Sequence, residues 1–115
     1  MTTPAHTYHL DFETYSPENI KDVGAFKYAS HPEAEILVMA IAKGDAAPLV
    51  WSVLDHNIDA LMLLSEAIES GAEIYAHNAQ FEFAVSKHLF AKTFGMDPPA
   101  LTQWRCTAAL CRLAA

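Results

Sequence analysis

The stretch YHLDFETYS, residues 8–16, opens as a buried strand and then sets two carboxylates, Asp11 and Glu13, one residue apart. Successive strand side chains point to opposite faces, so Leu10 and Phe12 share one side while Asp11 and Glu13 share the other. One face is apolar and suited to a core; the other holds two like charges close enough to repel. A bound cation, basic side chains or plain exposure to water would each relieve that repulsion.

Downstream of this strand, residues 16–33 form a polar connection with a short helical turn around 23–29. EILVMAIA, 35–42, is a nearly unbroken apolar run, as expected of a strand covered on both faces. KGDAAP turns the chain, and LVWSV, 49–53, returns it as a third strand, the short link favouring a hairpin. The period then changes to helical over 57–71, where Leu61, Leu64, Ala67 and Ile68 recur, Asn57 or Asp59 serves as N-cap and Gly71 as the stop. EIYAH is a fourth strand. Asn78 caps a second helix over 79–94, with Phe81, Val85 and Leu89 on one stripe and Gly95 at its end. LTQWRCT reads as a brief extended segment, and AALCRLAA, 108–115, begins a further helix whose apolar face has no clear partner.

This order predicts one α/β domain over residues 1–115 with a mixed sheet. Strands one to three are antiparallel, strands four and five run parallel to strand one, and helices cover both faces. That is the ribonuclease H-like layout. The helix that begins at 108 without a closing turn suggests the front part of something longer. At 115 residues, just over half of them apolar, the chain has material for a core without disulfides. No run approaches the ~18 apolar residues of a membrane span, and the first residues lack a signal core, which points to the cytoplasm. Cys106 and Cys111, five apart in an expected helix, would face different sides, so no disulfide between them is expected.

The net charge of −7 is the wrong sign for a broad basic surface on nucleic acid. The objection weakens if the acidic groups sit where Mg²⁺ or Mn²⁺ would bridge them to phosphate. A third carboxylate fits that idea. In HNAQFE, 77–82, Glu82 falls in the first turn of the helix after the fourth strand, where the helix dipole favours the ionised form. With the fourth strand beside the first, Glu82 would approach Asp11 and Glu13 at the carboxyl end of the sheet, where open α/β sheets place ligands. Oxygen donors there suit hard divalent ions, and two such ions about 4 Å apart can activate a water and stabilise the leaving oxygen in phosphodiester cleavage.

LDFET resembles the first, and HNAQFE the second, motif of the DnaQ-like (DEDD) 3′ to 5′ exonuclease superfamily, closest to the N-terminal proofreading domains of phage family A DNA polymerases. DVGAFKYASHPEAEILVMAIA and WRCTAALCRLAA are similar to the same group, so the resemblance spans nearly the whole chain. It implies hydrolysis of single-stranded 3′ DNA ends to nucleoside monophosphates with two Mg²⁺ or Mn²⁺ ions, in a bacterial or phage-infected cytoplasm. A polymerase region would follow in the same polypeptide. It implies Asp11, Glu13 and Glu82 as metal ligands and catalytic residues, Asp11 bridging both ions, and Asn78, Phe81 and Thr14 at the substrate end. Two departures stand out. Glu82 occupies a position where the motif has Asp, and the third motif, a Tyr or His followed by Asp, is absent. The alternative is a truncated or degenerate relative that binds metal, nucleic acid or protein without catalysis, its unfinished last helix pairing with another copy or a partner.

The remaining candidates have plainer readings. His77 is expected to be a packed structural residue, Phe83, Phe90 and Phe94 to be packing, and Trp51 and Trp104 to be buried. Arg105 and Arg112 are expected at the solvated surface.

Overall fold

A computed structural model describes residues 7–107. Its eight main elements are β1 (Tyr8–Tyr15), α1 (Ile20–Ser30), β2 (Glu35–Lys43), β3 (Leu49–Ser52), α2 (Ile58–Ser70), β4 (Ile74–Ala76), α3 (Ala79–Phe94) and β5 (Trp104–Cys106). The five strands lie in the order β3-β2-β1-β4-β5. β1 pairs antiparallel with β2, and β2 antiparallel with β3. β4 runs parallel to β1 and β5 parallel to β4. This is the ribonuclease H-like order and polarity expected from the succession of elements.

The alternation along β1 is realised directly. Tyr8, Leu10 and Phe12 are buried, whereas His9, Asp11 and Glu13 are exposed. Phe12 meets the edge of Phe90 on α3 at 5.6 Å between ring centres, and Phe94 stands edge-on to Phe90 at 5.2 Å and to Trp51 of β3 at 4.9 Å. These rings, with Met39 and Ile41 of β2 and Leu64 and Ala67 of α2, form the core on one side of the sheet. Pairing shifts between Glu13 and Thr14, so that Glu13 faces Val38 and Thr14 faces Ile36, leaving Leu37 between them. Such a bulge increases local twist and re-aims side chains, and it falls beside the acidic pair.

The helices start and stop where their caps dictate. Asn57 and Asn78 accept backbone N–H bonds at the starts of α2 and α3, and Gly71 and Gly95 end them in left-handed conformations, φ 71° and 66°. The connection after β1 is more helical than its polarity suggests. α1 covers eleven residues with an Asn19 cap and a kink at Gly24, φ 82°, and it packs along α3.

Contacts of α2 and α3 fall on the Tyr8, Leu10 and Phe12 face. On the opposite face His9, Asp11 and Glu13 are exposed; the helix expected from residue 108 lies outside the described residues. That open face presents His9, Asp11, Ala40, Ala42 and Tyr75 around a groove of about 510 Å³. No helix among the described residues is long and apolar enough to cross a membrane.

Gln103 ties β5 to the rest. Its buried Nε2 donates to the carbonyls of Ala67 and Ala72 at 2.9 and 3.0 Å, and its Oε1 accepts from the Ala100 amide at 3.1 Å. The last carbonyls of a helix have no partner within it, so Gln103 satisfies one of α2's orphans in a site closed to water. Gln103→Ala should therefore lower the unfolding free energy in urea by about 3 kcal/mol. A loss below about 0.5 kcal/mol would show that these bonds do not hold β5 in place.

Candidate functional site

The geometry of the site follows from the shortness of β4. Tyr8 donates its amide to the Glu73 carbonyl at 3.0 Å, so alternate amides of β1, those of residues 8, 10 and 12, face β4. β4 ends at Ala76, and the chain turns into α3 before reaching the level of Phe12. A buried amide without a partner is costly. Glu82, brought round by the Asn78 cap into the first turn of α3, accepts the hydrogen bond from the Phe12 amide. Its side chain is 3% exposed, and its Oε2 has no hydrogen-bond partner.

This carboxyl does not behave as its place in the helix suggests. Its pKa is pushed up from 4.5 to about 8, chiefly by burial and next by the negative charge of Asp11, while the Phe12 amide pulls the other way. A helix N-terminus contributes at most about 2 kcal/mol toward the anion, whereas burial of a carboxyl can shift it by about 3–5 pH units. Burial wins. The expectation that the dipole keeps Glu82 ionised is corrected accordingly.

Of the three expected ligands, Glu82 feels the negative charge of Asp11, while Glu13 lies two residues further along the exposed face of β1. Among the described residues no three acidic, histidine or cysteine side chains gather closely enough to hold a metal ion. The Asp11 and Glu82 pair nonetheless has the right chemistry for a hard cation. The two carboxyl groups interact electrostatically, one oxygen is buried without a partner, and Mg²⁺ typically takes only one or two protein carboxylates, completing its shell with water and substrate phosphate.

The expected substrate residues are also partly assembled. The Thr14 hydroxyl lies 3.0 Å from the hydroxyl of Tyr28, and the Tyr28 ring centre lies 6.0 Å from that of Phe81. Tyr28 on α1 thus links Thr14 to Phe81. It was missed in sequence because its segment reads as a polar connection. Asn78 acts as the helix cap, its side chain accepting from the Phe81 amide at 3.4 Å. His77 is exposed and borders the groove with Asp11, so it is not the packed structural residue expected. Trp51, Trp104 and Phe90 are buried as expected. Arg105 is exposed but pairs with Glu73 at 3.1 Å. Cys106 is half-buried, its Sγ 3.3 Å from the His77 carbonyl oxygen. It closes β5 instead of entering a helix, so helical spacing does not govern its direction. Cys111 and Arg112 lie outside the described residues.

No family model matches the chain. It is 32% identical over 108 residues to the DNA polymerase of Bacillus phage SP02, a match that covers 89% of this chain and 15% of the phage protein. The chain therefore spans about a seventh of that relative's length. The family B DNA polymerase of the hyperthermophilic archaeon Pyrobaculum calidifontis matches 82% of this chain and 12% of its own, at a TM-score of 0.49 and 15% identity.

The raised pKa of Glu82 sets a pH dependence opposite to that of an ordinary carboxylate. Between pH 4.5 and about 8 the folded protein holds a proton that the unfolded chain releases. This contribution is complete below 4.5 and is lost as pH rises toward 8, at up to about 1.4 kcal/mol per pH unit. Without divalent ions, urea unfolding of the wild type should weaken steadily from pH 5 to pH 8 relative to Glu82→Gln, which keeps an acceptor for Phe12 and cannot ionise. Parallel pH profiles for the two proteins would contradict the assignment.

Proposed function

We propose that this chain is part of a metal-dependent 3′ to 5′ exonuclease domain of the proofreading kind, carried on a polymerase polypeptide and acting on single-stranded DNA ends. The observation that carries the reading is the Glu82 carboxyl, buried with an unpartnered oxygen beside Asp11 at the end of β4. A carboxyl in that setting is expensive unless a cation belongs there. The similarity to a segment of a phage DNA polymerase supports the same reading.

Asp11 and Glu82 would hold the first Mg²⁺ or Mn²⁺, and Asp11 with Glu13 the second. Bound ions would supply charge neutralisation at the phosphate and a more acidic water. The protein's own part is positional. The Phe12 amide fixes Glu82, β1 presents Asp11 and Glu13 along one open face, and Thr14, Asn78 and Phe81 border the place of the terminal nucleotide. Ionised Glu82 is needed for ligation, so ion binding displaces its proton.

A second reading rests on the absence, among the described residues, of a ready-made three-ligand cluster. On that reading the domain binds metal and DNA, or a protein partner, without catalysis. A 5′-labelled single strand incubated with the protein and Mn²⁺ distinguishes the two. The exonuclease reading predicts stepwise shortening from the 3′ end that EDTA abolishes and Asp11→Ala reduces by about a hundred-fold or more. Binding without shortening would favour the second reading, and neither binding nor shortening would contradict both.

A further inference from the structure

Tyr28 lies outside the sequence motifs, yet it touches both residues that border the substrate end. Its hydroxyl is 3.0 Å from that of Thr14, and its ring is 6.0 Å from Phe81 with the planes inclined at 50°. All three side chains are half-buried, unlike the enclosed Phe12 and Phe90 pair of the core. Both rings are half-buried and inclined to each other, not stacked, so part of each face stays accessible. Two hydroxyls bonded to each other use one of their two protons and leave the other to donate.

We infer that Tyr28 is a substrate-positioning residue of this site: its ring and that of Phe81 grip the terminal base, and its hydroxyl donates to Thr14, turning the Thr14 proton toward an oxygen of the same nucleotide. The inference rests on the exonuclease reading and names the part of the nucleotide that the two rings would contact. Glu13 immediately precedes Thr14 and Glu82 immediately follows Phe81, so a base held against these rings lies next to the acidic groups. An oxyanion only accepts hydrogen bonds, which fixes the direction of the Tyr28 and Thr14 pair once a nucleotide is present. Aromatic stacking tolerates any base, as a general 3′ end requires.

The test compares two 5′-labelled single strands with hydrolysis-resistant terminal linkages, one ending in an ordinary nucleotide and one in an abasic nucleotide, by fluorescence anisotropy in Mn²⁺. The wild type should bind the ordinary end about five-fold or more tightly than the abasic end. Tyr28→Ala should bring that ratio close to unity. Tyr28→Phe should keep the ratio and weaken binding of both strands, with no further loss on adding Thr14→Val. Thermal unfolding followed by circular dichroism checks that each variant is folded. A folded Tyr28→Ala with the wild-type ratio would overturn the inference and leave the exonuclease reading standing. A wild type that binds neither strand would overturn that reading and the inference with it.

Discussion

The hydrogen bond from the Phe12 amide to the buried Glu82 carboxyl is the contact on which the architecture of the site turns. β4 is three residues long, stops at Ala76, and leaves the amide of a central strand without its ladder partner. Glu82 supplies the acceptor, and in doing so it is drawn out of water and alongside Asp11. One oxygen is satisfied and the other is not. An unpaired buried polar atom costs about 1–3 kcal/mol, and the protein lowers the cost by keeping the carboxyl neutral. The extra methylene of Glu, compared with Asp, gives the carboxyl reach toward the β1 backbone.

The rest of the fold keeps this arrangement in place. β1 divides its side chains between two tasks: Tyr8, Leu10 and Phe12 anchor the core, and His9, Asp11 and Glu13 stay on the open face. Because both sets belong to one strand, the edge contacts of Phe12, Phe90, Phe94 and Trp51 fix the height and direction of the acidic side chains. Moving the register of β1 by one residue would bury the carboxylates and expose the aromatics, which the core does not permit. The bulge between Glu13 and Thr14 then lets Thr14 reach Tyr28 while Glu13 remains outside.

Features governed by local chemistry were legible in the sequence. The alternation over residues 8–13, the Asn57 and Asn78 caps and the Gly71 and Gly95 stops depend on neighbours a few residues away, and the strand order followed from their succession. Features set by distant parts of the chain were not. The raised pKa of Glu82 depends on burial, the contacts of Tyr28 with Thr14 and Phe81 on α1 lying along α3, and the Gln103 bonds on two carbonyls more than thirty residues earlier. Along the apolar run of β2, Ile36, Met39 and Ile41 are buried while Val38, Ala40 and Ala42 on the other face are only half-buried. An apolar strand reports that burial is favourable without saying which segment provides it.

Calorimetric titration with Mn²⁺ in two buffers of different ionisation enthalpy, at pH 7, bears most directly on the claim that Glu82 stays neutral until a cation arrives. If the claim holds, binding releases about one proton per ion at the first site, and Glu82→Gln removes that release. Tight Mn²⁺ binding with no proton released, or no binding by the wild type at all, would contradict it.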